Sequence, residues 1–195
     1  MKKLLILFIL YPSVVWGFSM ETAMEWQALR SSLRQEYEYS IPPELDEMKA
    51  KNYPSLCPVK GYITSGFGRR RPPIKRASTN HKGIDIGTGH HHSPIIAPGG
   101  GVVVFVGVKG GYGKTIVIQH WNKGGESVHT QYGHLHKIYV KVGDKVKRRD
   151  VIGTVGTTGI STGIHLDYII RVNGRAVNPL DWMLRDEVPP YKYEI

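Results

Sequence analysis

From about residue 60 onward, apolar and polar positions alternate in short β-branched runs: Tyr62-Ile63-Thr64, Gly101 to Val108, Thr115 to Gln119, Val151 to Val155 and His165 to Val172. Turn-forming pairs fall between the runs, at Gly110-Gly111, Gly124-Gly125, Gly143-Asp144 and Asn173-Gly174. That spacing predicts a β-rich domain of short hairpins. A weak internal echo reinforces it. Ala97-Pro98 leads into Gly101 to Gly107, and Val142 to Val146 leads into Val151 to Gly156. Two similar folded-over β-units predict a compact sandwich.

Upstream the period changes. Met20, Met24, Trp26, Leu29, Leu33 and Tyr37 recur at mostly three- and four-residue steps, with Glu21 and Glu25 early. This predicts an amphipathic helix over 20–38, ended by Ile41-Pro42-Pro43. Its expected role is packing against the domain that follows. Before it, Met1-Lys2-Lys3 precedes an apolar stretch from Leu4 to Trp16, and Val15 and Gly17 stand three and one residues before Phe18. That layout reads as a secretory signal peptide, shorter than the roughly 20 apolar residues of a membrane span. The expected organisation is a signal peptide over 1–17, a helical segment and linker over 18–59, the main domain over 60–185 and a tail over 186–195. Export to the periplasm or beyond follows, with no transmembrane span after cleavage.

Composition adds three constraints. Gly, at 23 of 195 residues, exceeds the usual share of about 7%, which favours turns over helices. Lys and Arg number 26 against 16 acids, a formal charge of +10. Such a surplus suits an anionic partner and says nothing about fold. The run Arg69-Arg70-Arg71, with Lys75-Arg76 behind it, has no stacking aromatics or recognition helix beside it, so nucleic acid is not expected. A solvated charge run, or attraction to an anionic envelope polymer, accounts for it. Cys57 is the single cysteine, which excludes an internal disulfide, and it reads as a partly buried thiol without a role.

Eight of the nine histidines lie between residues 81 and 136. In His81-Lys82-Gly83-Ile84-Asp85, an extended backbone puts 81, 83 and 85 on one face, with Gly83 leaving room between two ligand types. Tyr132-Gly133-His134-Leu135-His136 closes one strand, and His165-Leu166-Asp167 opens another with both polar residues on one side. A catalytic zinc takes about three protein ligands and keeps an open position, with a proton-handling group nearby. His81, Asp85 and Asp167 satisfy the first requirement, and His134 and His165 the second. His136 is an alternative third ligand. His90-His91-His92 reads as a solvated loop, or as a rim that contacts substrate or loosely takes up extra metal, and His120 and His129 as sheet-surface residues or residues supporting the site from behind.

These motifs resemble the lysostaphin/LytM-type zinc endopeptidases of the M23 family. The matching stretches are Thr64 to Arg69, His81 to Asp85, Tyr132 to Leu135, Val140 to Val146, Gly156 to Gly159, Ser161 to Leu166 and Val172 to Pro179. Together they cover about 120 residues from Gly61 to Trp182, in the family's order. The resemblance implies a duplicated hybrid β-fold, a zinc-bound water, and cleavage of peptide bonds in peptidoglycan stems or cross-links. It implies zinc ligation at the positions of His81 and Asp85 and catalysis by those of His134 and His165.

One position departs. The family's third ligand is the second His of a His-x-His motif, and here that residue is Asp167. Zinc accepts a carboxylate, so a His/Asp/Asp set is chemically allowed. The formal charge of ion plus ligands falls to zero, and the oxygen-rich set is friendlier to manganese. Two readings follow: an active metallopeptidase, or an impaired relative that binds cell wall or regulates another wall hydrolase. Val140 to Val155 also resembles half-repeats of biotinyl and lipoyl carriers, but no carrier lysine motif accompanies it. The sequence leaves the oligomeric state open.

Overall fold

The structure is a computed structural model, and it describes residues 52–71, 78–120 and 126–192. The expected signal peptide and helix over 20–38, Lys75-Arg76 and the Gly124-Gly125 turn lie outside the described residues. Thirteen strands are present among them: β1 (Tyr62–Ser65), β2 (Gly68–Arg69), β3 (Asn80–His81), β4 (Ile84–Gly87), β5 (Pro94–Ile96), β6 (Gly101–Val108) and β7 (Lys114–His120). They continue as β8 (Val128–Gly133), β9 (Lys137–Ile138), β10 (Lys145–Val146), β11 (Val151–Thr154), β12 (His165–Val172) and β13 (Arg175–Val177). The fold is mainly β, and its helical pieces there are short 3-10 turns.

The large antiparallel sheet runs β1-β4-β12-β8-β7-β6-β10, with β13 also paired to β12. A small sheet, β5-β11-β9, shares the core with it, and β2-β3 forms a separate ribbon. The two segments of the sequence echo lie side by side. Ala97 N–H donates to the Asp150 carbonyl and its own carbonyl accepts from Arg149 N–H, while Val103 N–H donates to Asp144.

Strand alternation sorts β12 into two faces. Leu166, Tyr168 and Ile170 are wholly buried and join Ile84, Ile86, Ile116, Ile118 and Tyr132 in the core, which the small sheet closes with Ile95 and Ile152. Each large apolar side chain buried this fully contributes about 1.5–3 kcal/mol. The core also takes Leu56 and Val59 from before residue 60. Nearer the C-terminus, Ile63 N–H donates to Pro190 and Lys192 N–H to Ile63, which covers the open edge of β1.

Gly83 has a different task from the expected one. A Cβ there would drive into the Tyr168 carbonyl on β12, so glycine allows β4 and β12 to approach rather than spacing the ligands. That approach sets Asp85 and Asp167 directly opposite each other.

Candidate active site

Asp85 and Asp167 are cross-strand neighbours on the face of the large sheet that points away from the core. Both are buried, at 7% and 6% exposure, which for two facing carboxylates is unfavourable without compensating positive charge. His81, from the end of β3, supplies part of it. Its Nε2 lies 3.3 Å from Asp85 Oδ1 and 3.5 Å from Asp167 Oδ2. Arg70 supplies more: Nη1 donates to Asp85 Oδ2 at 2.7 Å and to Ser65 Oγ, and Nε donates to the Ser78 carbonyl. Arg70 of the basic run is therefore half-buried against an acid, while Arg69 and Arg71 on either side of it are exposed. Burial works against a charge on His81, but Asp167 and Asp85 outweigh it and push the imidazole up to about 9. Burial likewise works to raise Asp85, and His81, His165 and Arg70 together bring it below its ordinary value.

The donor atoms of His81, Asp85 and Asp167 all lie within 4.8 Å of one another. His81 Nε2, Asp85 Oδ1 and Asp167 Oδ1 are each buried without a hydrogen-bond partner. Such groups normally find partners, and three orphans converging on one point have the chemistry of a divalent-cation site. One nitrogen and two carboxylate oxygens fit zinc or a harder ion.

Two more imidazoles flank the cluster. His134 and His165 stand with ring centroids 4.7 Å apart, and His165 Nε2 is 3.7 Å from Asp85 Oδ1. One device orients all three rings. Nδ1–H donates to a backbone carbonyl, of Gly66 for His81, Thr158 for His134 and Gly163 for His165. A carbonyl only accepts, so in the neutral ring Nε2 keeps its lone pair. His134 also changes face. Alternation from Thr130 and Tyr132 would send it toward the core, and its left-handed backbone, φ 61°, turns it into the cleft instead. Burial, followed by the charge of His165, holds His134 below the ordinary histidine value, which favours a neutral base.

The remaining histidines do not join. His136 stacks on His92 with centroids 4.1 Å apart, and His92 Nδ1–H donates to Val155. His120 is not at the sheet surface but buried at 2% exposure on the core side. His129 is half-buried beside Ser127. Cys57 donates its thiol to Val59, and burial raises it to about 11, an unreactive state. Arg70 and the three anchoring carbonyls escaped the sequence reading; Arg70 directly follows the Thr64–Arg69 motif, and the carbonyls sit inside quoted motifs.

The profile of peptidase family M23 matches residues 79–179, more than half of the chain. The chain belongs to peptidase family M23. It is 43% identical over 118 residues to the DD-carboxypeptidase/endopeptidase Mpg of Neisseria meningitidis serogroup B, a match covering 60% of this chain and 26% of that one. To the peptidoglycan DD-endopeptidase ShyA of Vibrio cholerae it is 41% identical over 126 residues, 62% of this chain and 27% of the other. The M23 chain thus spans about a quarter of the length of these curated relatives. Among solved structures, the catalytic domain of lysostaphin from Staphylococcus simulans superposes with a TM-score of 0.53 at 31% identity, covering 63% of this chain and 90% of that one. A zinc-containing peptidase from Vibrio cholerae gives 0.56 at 34%, covering 67% and 39%.

Proposed function

We propose that this M23 chain is an exported, zinc-dependent endopeptidase that cuts peptide bonds in peptidoglycan, acting in the periplasm or outside the cell. The observation that carries the reading is the convergence of three buried, unpartnered donor atoms beside two imidazoles whose Nε2 atoms are left open. The named activities of Mpg and ShyA support the substrate class. Among the described residues no helix is long and apolar enough to cross a membrane.

In this reading His81 Nε2, Asp85 Oδ1 and a carboxylate oxygen of Asp167 hold the ion. Zinc bound there would supply Lewis acidity, polarising a scissile carbonyl and acidifying water. The rest falls to the chain's own groups. His134, kept neutral and aimed by its bond to Thr158, accepts a proton at Nε2. His165, aimed by Gly163, faces the same space and steadies charge developing on the carbonyl oxygen. Arg70 occupies Asp85 Oδ2 and thereby reserves Oδ1 for the ion.

The test is metal analysis of the purified protein coupled to digestion of purified peptidoglycan with zinc and with manganese. Roughly one equivalent of metal and release of cut stem peptides are expected. Asp167 at the third-ligand position favours one second reading, a module that binds wall without cutting it. Wall binding without digestion under either metal would select that reading.

A further inference from the structure

The cleft above the cluster encloses about 680 Å³, and its two banks differ in charge. On the bank toward the β1 edge, Arg71 follows β2, Lys82 links β3 to β4, and Lys192 sits on the segment paired with Ile63. The opposite bank is made by Gly111 and Tyr112 of the β6–β7 turn and by the loop from Ile160 to Ile164, and among the described residues it presents no charged side chain to the cleft. Among the described residues Asp85 and Asp167 are the cleft's carboxylates, and both lie on the floor against His81. Among the described residues lining the cleft, cationic side chains outnumber carboxylates, and a bound dication would add to that positive charge. Walls of one sign around a recessed floor focus their field on what enters.

We infer that the cleft reads its substrate by charge across the cut: the part lying toward Arg71 and Lys82 carries a free carboxylate, and the part toward Gly111 and Ile160 is uncharged. This rests on the peptidase reading and adds a substrate class to it, an acidic peptide with its negative charge on one side of the cleaved bond. The uncharged bank is held together by Ile160, which lies against Gly111 and donates its N–H to the Gly111 carbonyl. No part of the argument needs the cations to touch the reacting atoms; their role is in binding and register.

The experiment uses cross-linked stem-peptide dimers in three forms: all carboxyl groups free, amidated on one side of the cleaved bond, and amidated on the other. KM and kcat are measured on the zinc-loaded full chain at low and high salt, and Kd by titration calorimetry on the same peptides. Amidation on one side should raise KM about tenfold with kcat within a factor of about three, since several exposed charges act together on one carboxylate. Amidation on the other side should leave KM unchanged. The difference should shrink severalfold at about 0.5 M salt, where screening shortens the reach of each charge. Arg71 and Lys82 are both exposed, so Arg71→Glu/Lys82→Glu should fold, and it should erase or invert the preference. Equal KM and Kd for all three forms at low salt would overturn the inference. So would a preference that survives in the double variant, or competition by inorganic phosphate without any acid-to-amide difference. A protein that cuts none of the dimers yet binds the free acid tenfold tighter than one amide would overturn the peptidase reading and support this one.

Discussion

Two buried histidines on opposite faces of the large sheet make an instructive pair. His120 and His81 are 2% and 4% exposed, and each anchors Nδ1–H on a carbonyl, of Gly100 and Gly66. They differ at Nε2. On the core side Tyr132 donates to Thr130 and Thr130 donates to His120 Nε2, so every group in the chain is used. On the cleft side His81 Nε2 meets two carboxylates and has no hydrogen-bond partner. The charge states diverge accordingly. Burial pulls His120 down to about 4, while the carboxylates, overcoming burial, hold His81 up at about 9. A satisfied polar group specifies a core, whereas three unsatisfied ones arranged around a point keep bonding capacity for something else. The Tyr168 hydroxyl and Gln131 Nε2 are also unpaired, but each is one neutral group, and neither belongs to the converging donor set.

The sharpest way to break the contrast is through the imidazoles beside His81. His134→Ala or His165→Ala should lower turnover on peptidoglycan by about 10²–10⁴ without moving the thermal midpoint, because each acts on protons rather than on packing. Digestion rates and unfolding curves on the same preparations check this. A fall in midpoint matching the fall in rate would make these histidines structural, like His120.

His120 should govern acid stability instead. Its folded value, about 4, lies below the ordinary 6.5, so the unfolded chain takes up the proton first. Stability is therefore complete above about pH 6.5, falls as pH drops toward 4, and changes no further below it; the full loss is about 3 kcal/mol. Urea unfolding across that range, compared with a His120→Gln variant, isolates the contribution. A pH slope identical in the two proteins would remove His120 as its cause.

Zinc should separate the two regions directly. At about a hundredfold excess over Kd it should stabilise the protein by about 2.7 kcal/mol, an effect abolished in Asp85→Ala and retained in His120→Gln. Thermal unfolding with zinc and with chelator reads both arms. Retention of the zinc shift in Asp85→Ala would place the ion elsewhere.

The halves of this contrast were unequally legible in the sequence. β6 and β12 have the bounds their β-branched runs predict, because period-two alternation is written locally. His165-Leu166-Asp167 carried its facing in the same way. The burial of His120 was available too, since Ile116 and Ile118 set its parity toward the core, but a histidine there was read by polarity rather than by register. Arg70 was not legible, because its partner Asp85 lies 15 residues away and only the tertiary turn brings the guanidinium to it. The face change at His134 depends on a backbone angle that alternation cannot anticipate. In one dimension the segments around Gly66, Thr158 and Gly163 show no reason for their place beside the histidines; folded, each contributes a carbonyl that fixes a tautomer.

Asp167 offers the finest adjustment of the comparison. It faces Asp85 across β4 and Gly133 across β8, and imidazole at that place would restore the His/Asp/His set of the resemblance. Nitrogen in place of oxygen favours zinc over harder ions, so Asp167→His should bind zinc more tightly and raise its preference over manganese about tenfold, or 1.4 kcal/mol. Space is limited by Tyr112 and by the close passage of β8, where a Cβ on Gly133 would already lie 3.3 Å from that of Asp167 and 3.4 Å from that of Tyr112. Neither Tyr168, which turns into the core, nor His136, stacked on His92, stands in the way. Competitive titration of zinc against manganese in both proteins measures the change, with the unfolding midpoint as a check that the larger ring has been accepted. A well-folded variant whose zinc affinity and selectivity are unaltered would show that position 167 does not hold the ion, and that the two facing carboxylates of β4 and β12 are stabilised by His81, His165 and Arg70.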